Sequence, residues 1–490
     1  TGSGKSTLFH TLIVNVALHY SPDEIQLYLI DFKKGVEFKP YATYGLPHAR
    51  VIAIESEREF GLSVLERLDD ELKIRGDLFR AAGVQDVAGY RDADPEARMP
   101  RILLIVDEFQ ELFVKEDKLS QDAGLLLDRL VRQGRAFGVH VILGSQTLAG
   151  AYSLARSTLG QMAIRIALQC SESDAHLILS EDNTAARLLS RPGEAIYNDA
   201  NGVVEGNHPF QVVWLGDKQR VELLERLQNW TRGRQISDPP SIIFEGNVAA
   251  DPSQNPLLLK VLELATSDPA TVWMGSAVAI KEPTHVQLYR QTGANILVVG
   301  QDELMAGGIL ATSAVSLLNQ QLTTDPNAAE NFLVLNGLRN DEGEHDPWIR
   351  VNKHLPVKIT VASPSQAESA VTPFYDEMER RLENPDDTYQ RRYMFVHHVS
   401  RFRDLRKGDD DFGFSSFDKA ETAAVSLSKM FLKLLREGPS VGIHVMAWCD
   451  SYNNVMRTLD RQALRDFDAR VVFQMSANDS SNLMDSPDAG

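Results

Sequence analysis

The first seven residues read TGSGKST and have the composition of a loop that binds phosphate. In such a loop glycines let backbone N–H groups curve around phosphate oxygens, a lysine adds a cation beside the β- and γ-phosphates, and a serine hydroxyl ligates Mg²⁺. A glycine-rich turn before a helix is the alternative, and the Lys-Ser pair disfavours it. We predict that ATP is bound by the residues of this loop: Thr1, Gly2, Ser3, Gly4, Lys5, Ser6 and Thr7.

The motif corresponds to the second half of G-x-x-x-x-G-K-[ST], whose leading glycine would precede Thr1. We therefore expect the sequence to be a fragment, truncated inside the loop. Regions outside it could carry membrane spans or further domains.

Two acidic residues, Asp107 and Glu108, directly follow the uninterrupted apolar run at residues 102–106. Such a run is typical of a strand in a parallel sheet that is buried on both faces, and ligands bind at the carboxyl edge of such sheets. We predict that Asp107 holds Mg²⁺ together with Ser6, and that Glu108 orients or activates the attacking water. Acids at strand ends are also common as solvated turn residues, so this assignment depends on its pairing with the phosphate loop.

Polar residues also end two other predicted strands. Gln146 could sense the γ-phosphate, by analogy with the water-orienting glutamine of other P-loop enzymes, or could be a simple polar strand end. The segment DFKKG at 31–35 could lie near the site or at an interface between subunits. Its lysines, Lys33 and Lys34, are equally well explained as solvated surface charges.

Apolar strands alternate with helical patterns along the first half, which predicts an α/β fold with a mainly parallel sheet flanked by helices. The predicted strands lie at residues 25–30, 51–54, 102–106, 139–143 and 164–168. Polar, proline-rich stretches at 238–240 and 251–256 are typical of domain boundaries. We predict one domain over residues 1–235 and a second over 236–490.

The second half of the chain repeats the first. GRAFGVHV at 134–141 recurs as GPSVGIHV at 438–445, and AIRIALQ at 163–169 recurs as DARVVFQ at 468–474. A shared sheet scaffold would explain the matched apolar positions, but not the matched Gly, His, Arg and Gln. We predict two tandem copies of one domain, the second incomplete at its C-terminal end.

The second copy lacks the residues that carry the chemistry of the first. The replacements are Met305 for the loop glycine, Ala306 for Lys5, Gly307 for Ser6, His397 for Asp107, His398 for Glu108 and Asp450 for Gln146. The adjacent histidines invite a metal site, but neighbouring residues of a strand point to opposite faces and share one ion poorly. We predict that this copy has no catalytic activity.

These segments together resemble the FtsK/SpoIIIE family of motor ATPases. The matching segments are TGSGKST, IDFKKGVEF at 30–38, LLIVDEF at 103–109, RQGRAFGVHVIL at 132–143, RIALQCS at 165–171 and LLSRPGEA at 188–195. The resemblance implies a RecA-like core, a hexameric ring and ATP-driven movement of double-stranded DNA through the pore. A sister branch, the type VII secretion ATPases, joins several such domains in one chain and moves proteins.

Ring motors of this kind complete each site with an arginine from the neighbouring subunit. Arg135, Arg156 and Arg165 are the candidates, and Arg165 is our first choice because it begins a predicted strand. A buried structural pair is the alternative for Arg165. The second copy would then be a pseudo-ATPase that stabilises the ring or regulates the first copy.

Net charge bears on the substrate of such a motor. The chain has 490 residues and a formal charge of −18, so DNA would have to bind at a focused local patch. The loop at residues 113–118 is a candidate for facing the pore. We predict a ring-forming motor that translocates double-stranded DNA. The alternatives are a motor for protein substrates, favoured by tandem domains and acidity, and a nucleotide-gated scaffold, disfavoured by the intact acid pair.

The remaining composition indicates the compartment. The two cysteines, Cys170 and Cys449, provide neither a disulfide framework nor a multi-cysteine metal site, which favours a reducing cytoplasm. No apolar run is long enough to span a bilayer. Membrane attachment would have to come from regions outside this sequence.

Overall fold

The computed structural model describes residues 3–33, 37–148, 156–233, 241–246, 248–264, 270–338, 346–384, 387–406, 425–487 and 489. The chain divides into two compact units. The first comprises Thr1–Ala249 with Val278–Lys281, and the second comprises Ala250–Ala277 with Glu282–Gly490.

The first unit alternates strands and helices. Its described strands are β1 (Ile25–Asp31), β2 (Ala49–Ile54), β3 (Arg101–Asp107), β4 (Val139–Gly144), β5 (Arg165–Leu168), β6 (Glu194–Asn198), β7 (Asn207–Gln211) and β8 (Ile242–Glu245). Its described helices are α1 (Lys5–His19), α2 (Lys39–Thr43), α3 (Arg58–Ala82), α4 (Val87–Ala93), α5 (Lys118–Phe137), α6 (Arg156–Gly160), α7 (Glu172–Ile178) and α8 (Asp217–Gly233).

A parallel sheet with the strand order β4-β3-β1-β2-β8 forms the centre of the first unit. β8 pairs with β2, so this unit extends beyond the predicted boundary near residue 235. β5 differs from the expectation of one sheet, because it pairs antiparallel with β6 in a separate sheet of order β5-β6-β7. The sequence pattern had not indicated β6 and β7. β5 pairs with β6 instead of joining the parallel sheet.

The central strand β3 shows why the sheet must be covered on both faces. Ile102, Leu104 and Val106 pack into one apolar cluster, whereas Ile105 packs into another on the opposite face. Successive side chains of a strand alternate between faces, so an uninterrupted apolar run needs two cores. Both acids at the end of this strand consequently lie at the edge of a well-packed layer.

The second unit has the same kind of architecture. Its described strands are β9 (Ala270–Gly275), β10 (Thr284–Leu288), β11 (Ile296–Val299), β12 (Phe332–Asn336), β13 (Thr360–Ala362), β14 (Arg392–His397), β15 (Ile443–Cys449) and β16 (Ala469–Val472). Its described helices are α9 (Pro256–Leu264), α10 (Glu303–Leu322), α11 (Pro347–His354), α12 (Ala367–Glu383), α13 (Leu427–Glu437), α14 (Tyr452–Thr458) and α15 (Ala477–Met484).

The parallel sheet of the second unit has the order β13-β12-β14-β15-β11-β16. The run β15-β14-β12-β13 reproduces the run β4-β3-β1-β2 of the first unit, strand for strand. β14 also alternates between two apolar clusters, with Met394 and Val396 in one and Tyr393 and Phe395 in the other. The predicted fold class, α/β with tandem domains of one type, is confirmed.

None of the helices in the described part of the chain combines the length and apolarity needed to cross a membrane.

Candidate functional site

The phosphate-loop motif lies at the start of α1, where backbone N–H groups without helical partners form a natural anion site. Gly4 has φ 112°, a left-handed conformation that residues with a side chain rarely adopt. α1 begins at the next residue, Lys5, and contains Ser6 and Thr7 in its first turn. Among the described residues no side chain caps this helix start, so its N–H groups remain available to a ligand.

A second loop supports the phosphate loop from a distant part of the sequence. The Gly193 N–H donates to the Ser3 carbonyl at 3.0 Å, and a Cβ on Gly4 would lie 3.3 Å from the Cα of Gly193. The LLSRPGEA segment therefore packs closely against the phosphate loop. A side chain at Gly4 would push the two loops apart. The predicted loop residues Thr1 and Gly2 lie outside the described residues.

The two acids at the end of β3 meet the phosphate-loop lysine. The Lys5 ammonium contacts both Asp107 Oδ1 and Glu108 Oε1. Both acids are only 3% exposed, and Glu108 has φ 52°, which turns the chain sharply at the strand end. The arrangement brings the predicted cation, metal ligand and water-orienting acid to one edge of the sheet.

Burial and hydrogen bonding act in opposite directions on the two acids. Burial raises the pKa of Asp107, and the charge and hydrogen bond of Lys5 offset this only in part. Burial also acts to raise the pKa of Glu108, but hydrogen bonds from Lys5 and Gln110 outweigh it and hold the pKa below its ordinary value. Glu108 is therefore an ionised carboxylate at neutral pH, as an acceptor of a water proton must be.

A short hydrogen-bonded network holds Glu108 in place. Gln110 Nε2 donates to Glu108 Oε2 at 2.8 Å, and Ser145 Oγ donates to Gln110 Oε1 at 2.7 Å. The backbone N–H of Gln146 lies 3.3 Å from the same Glu108 oxygen, while the Gln146 side chain is exposed. The structure thus brings Gln146 to the site through its backbone. Sequence reasoning missed Gln110, although its position two residues after an acid at a strand end could have suggested it.

The end of β1 and the segment that follows it add two further acids. Asp31 is fully buried, and it accepts hydrogen bonds from the N–H groups of Lys33 at 2.9 Å and Glu37 at 3.4 Å. Burial raises the pKa of Asp31 to about 7, and the nearby charge of Asp107 contributes in the same direction. Glu37 Oε1 accepts a hydrogen bond from Ser6 Oγ at 2.9 Å. The sequence had indicated this segment only in general terms.

Arg165 makes structural contacts within its own unit. Its guanidinium donates to the carbonyls of Leu179 and Ile178, at the end of α7. Arg470, its repeat counterpart, donates in the same way to the Leu483 carbonyl at 2.7 Å, within α15. Because the arginine is used alike in both copies, the geometry favours the structural alternative for Arg165. Its action on a neighbouring subunit stays a prediction, as does that of Arg135, and the side chain of Arg156 lies outside the described residues.

The equivalent helix start in the second unit is closed. α10 begins at Glu303, three residues before Ala306, so positions that would form a phosphate loop are helical. The Asp302 side chain accepts a hydrogen bond from the Met305 N–H at 2.9 Å and caps the helix. A carboxylate of the chain itself therefore caps this helix start.

Aromatic side chains pack around the histidines at the end of β14 in the second unit. Trp348 Nε1 donates to His397 Nδ1 at 2.9 Å, and Trp448 Nε1 donates to the Gly300 carbonyl at 2.9 Å. His398 packs edge-on against Trp448, with ring centres 4.7 Å apart. No group of three or more His, Cys, Asp or Glu residues able to hold a metal occurs among the described residues.

Comparison with known proteins relates the first part of the chain to a known family. The sequence profile of the FtsK/SpoIIIE family matches residues 1–150. The ESX-5 secretion system protein EccC5 of Mycobacterium tuberculosis is 33% identical over 185 residues, which cover 36% of this chain and 13% of that protein. DNA translocase FtsK of Streptococcus pyogenes is 28% identical over 263 residues, which cover 51% of this chain and 30% of that protein. The chain thus spans less than a third of either relative.

Two solved structures share the fold over nearly the whole chain. The cytoplasmic domain of the type VII secretion ATPase EccC from Thermomonospora curvata has a TM-score of 0.60 at 20% identity, covering 98% of this chain and 56% of that one. EssC (ATPases 2 and 3) from Geobacillus thermodenitrificans has a TM-score of 0.52 at 16% identity, covering 95% and 80%. The predicted resemblance is therefore confirmed: this chain is related to the FtsK/SpoIIIE family through residues 1–150, and its tandem fold is that of ATPase domains from the EccC and EssC proteins.

Proposed function

We propose that the first unit binds and hydrolyses ATP with Mg²⁺, as the catalytic part of an FtsK/SpoIIIE-type motor. One observation carries this proposal: Lys5, Asp107 and Glu108 converge at the carboxyl edge of a parallel sheet, beside an uncapped helix start. That edge is where ligands bind in open α/β sheets.

Each residue has a distinct part in this proposal. Residues 1–7 surround the phosphates with N–H groups, and Lys5 leaves the acids to contact the β- and γ-phosphates. Glu108, held by Gln110, orients the attacking water and accepts its proton. Arg165, or another arginine of a neighbouring subunit, would add charge stabilisation in a hexameric ring.

The chemistry of the donor set fits Mg²⁺. The Ser6 hydroxyl and the Asp107 carboxylate are oxygen ligands of the kind this ion prefers. The Lys5 ammonium pairs with both acids in the structure, so positive charge already lies at this position. Bound there, Mg²⁺ would neutralise phosphate charge in the transition state.

We propose that the second unit does not bind nucleotide and acts as a pseudo-ATPase with a structural or regulatory role. The Asp302 cap and the packing of Trp348 and Trp448 support this, because they occupy the phosphate and neighbouring positions. The fold persists because its two apolar cores do not depend on the catalytic residues.

Double-stranded DNA is the first candidate substrate, supported by the similarity to DNA translocase FtsK over half of this chain. A protein substrate is the second candidate. Its support is the tandem arrangement shared with EccC and EssC, together with the net charge of −18, which disfavours extended contact with a phosphate backbone. In either case we expect a cytoplasmic motor, with any membrane attachment supplied from outside this sequence.

ATP hydrolysis by the full chain, measured with and without candidate substrates, tests the proposal. Long duplex DNA should stimulate hydrolysis, and the stimulation should fall steeply with salt as phosphate contacts are screened. The candidate protein substrates in this assay are small helical proteins encoded beside the gene for this chain. Stimulation by such a protein but by no duplex, even at low salt, would replace DNA by protein as the substrate. Absence of any Mg²⁺-dependent hydrolysis would contradict the proposed function itself.

A further inference from the structure

We propose that Glu37 is a positioning residue for the Ser6 hydroxyl, holding its proton so that the Ser6 oxygen faces the metal. This inference rests on the proposed nucleotide site and adds a residue to it. Glu37 follows β1, 31 positions from Ser6 in sequence, and belongs neither to the phosphate loop nor to the acid pair on β3.

Ser6 has one proton to donate, and in this structure it goes to Glu37. Ser6 Oγ lies 2.9 Å from Glu37 Oε1. Asp107 Oδ1, by contrast, is taken by the Lys5 ammonium and by the Glu108 N–H at 2.9 Å. An ionised carboxylate only accepts hydrogen bonds, so the hydroxyl must donate and its lone pairs remain free for a metal.

The other oxygen of Glu37 is fixed by a second hydrogen bond. His10 Nε2 lies 3.3 Å from Glu37 Oε2, and His10 Nδ1 lies 2.8 Å from the hydroxyl of the buried Tyr41. Because the carboxylate accepts, His10 donates through Nε2 whichever way the Tyr41 contact runs. His10 lies one helical turn after Ser6, so both contacts come from the same face of α1.

Two features fix the position of Glu37. On one side its N–H donates to Asp31 at the end of β1, at 3.4 Å. On the other side Phe38 and Tyr41 are completely buried in the core that also contains α1. The carboxylate is therefore presented to Ser6 by packed structure, as expected for a partner that orients a metal ligand.

The second unit lacks the group that such a partner would orient. Gly307 stands at the position of Ser6, and a Cβ there would lie only 3.3 Å from Pro347 Cγ and 3.5 Å from His397 Cε1. The second unit therefore has no hydroxyl at this position, and the packing around Gly307 leaves little room for a side chain there.

The test compares the full chain with its Glu37→Ala and Glu37→Gln variants. The exposed acid Glu66 on α3 provides a matched control, Glu66→Ala. Binding of a fluorescent ATP analogue is measured once with Mg²⁺ and once with EDTA, and the Mg²⁺ concentration for half-maximal hydrolysis is measured in parallel. The two binding conditions separate loss of metal from loss of the phosphate loop.

We expect Glu37→Ala to raise the Mg²⁺ requirement by about 10- to 100-fold, the usual effect of losing the partner of a metal ligand. Affinity for the analogue in EDTA should stay unchanged. Glu37→Gln keeps an acceptor oxygen and should restore most of the Mg²⁺ response. A wild-type Mg²⁺ response in Glu37→Ala would overturn the inference. No Mg²⁺-linked binding in the wild-type chain would instead contradict the proposed function.

A double-mutant cycle with Ser6→Ala keeps the inference testable if Glu37→Ala weakens the fold. If Glu37 acts through Ser6, adding Glu37→Ala to Ser6→Ala should cause no further loss of Mg²⁺-linked binding. Additive losses in the double variant would show a general structural effect and would also overturn the inference.

Discussion

The starts of α1 and α10 occupy corresponding places in the two units, but the first is uncapped and the second is capped by a side chain. At α1 a left-handed Gly4 precedes Lys5, and no described side chain caps the helix. At α10 the helix begins earlier and Asp302 caps it. A helix N-terminus attracts an anion in both cases, and the difference lies in whether the chain supplies that anion itself.

The ends of β3 and β14 show the same contrast with an unchanged backbone. Glu108 and His398 both adopt left-handed conformations, with φ 52° and 73°. Asp31 is in register with Asp107, as Asn336 is with His397. The backbone geometry of the strand end therefore persists without the acids. The fold keeps the shape of this site whether or not the catalytic side chains are present.

The largest expected difference between the units concerns hydrolysis. Glu108→Gln should lower ATP turnover by about 10²- to 10⁴-fold, because the amide keeps the shape of the side chain but cannot accept a proton. ATP should bind and stay unhydrolysed. His398→Gln is the matched change in the second unit and should leave turnover unaltered. Single-turnover hydrolysis with bound nucleotide quantified separately checks both. A loss in His398→Gln comparable to that in Glu108→Gln would break the comparison.

The second expected difference concerns nucleotide binding. Equilibrium binding should give one Mg²⁺–ATP per chain, and Lys5→Ala should weaken it by removing the cation beside the phosphates. Restoring the motif in the second unit with Met305→Gly, Ala306→Lys and Gly307→Ser together should not create a second site. The Asp302 cap and the buried tryptophans would still fill the space. A stoichiometry of two in the wild-type chain would refute the closed second site.

The third expected result concerns Arg165 and Arg470, which donate hydrogen bonds to backbone carbonyls in the same way in the two units. Arg165→Ala and Arg470→Ala should each destabilise the protein by about 1–3 kcal/mol, because each leaves backbone carbonyls unsatisfied. Thermal unfolding measures this effect. If Arg165 also acts on a neighbouring subunit, its variant alone should lose turnover while keeping ATP affinity. Equal turnover in both variants would leave Arg165 with the structural role only.

The last expected effect is a pH dependence of stability that arises from His397 in the second unit. Burial lowers the pKa of His397 to about 4, so the folded chain keeps this ring neutral while the unfolded chain takes up a proton below about pH 6.5. Stability from this residue is present above pH 6.5 and is lost as the pH falls toward 4, by up to about 3 kcal/mol.

Melting temperatures at pH 7.5 and 5 check this dependence. His397→Gln should reduce the difference between the two temperatures, whereas His354→Gln, at an exposed histidine of α11, should not. An unchanged difference in His397→Gln would contradict the assigned burial effect.

The sequence by itself determined the parts of this protein that local patterns encode. The loop around Lys5, the acid pair after an apolar run and the loss of these residues in the second copy are all visible as short motifs. Alternating strands and helices were sufficient for the α/β class, because each pattern reports on the faces that its own segment buries. The boundary near 235 and the sheet of β5 were less well predicted, since both depend on which distant strand a segment pairs with.

Only the tertiary structure decided which distant residues complete the site. Glu37 reaches Ser6, Ser145 reaches Gln110, and Gly193 reaches Ser3 across 190 positions. The Asp302 cap of the second unit, by contrast, is a local contact at the start of the helix that follows β11. The first two contacts have a common physical reason: a parallel sheet gathers the ends of strands that are remote in sequence at one edge, and no local pattern records which side chains meet there.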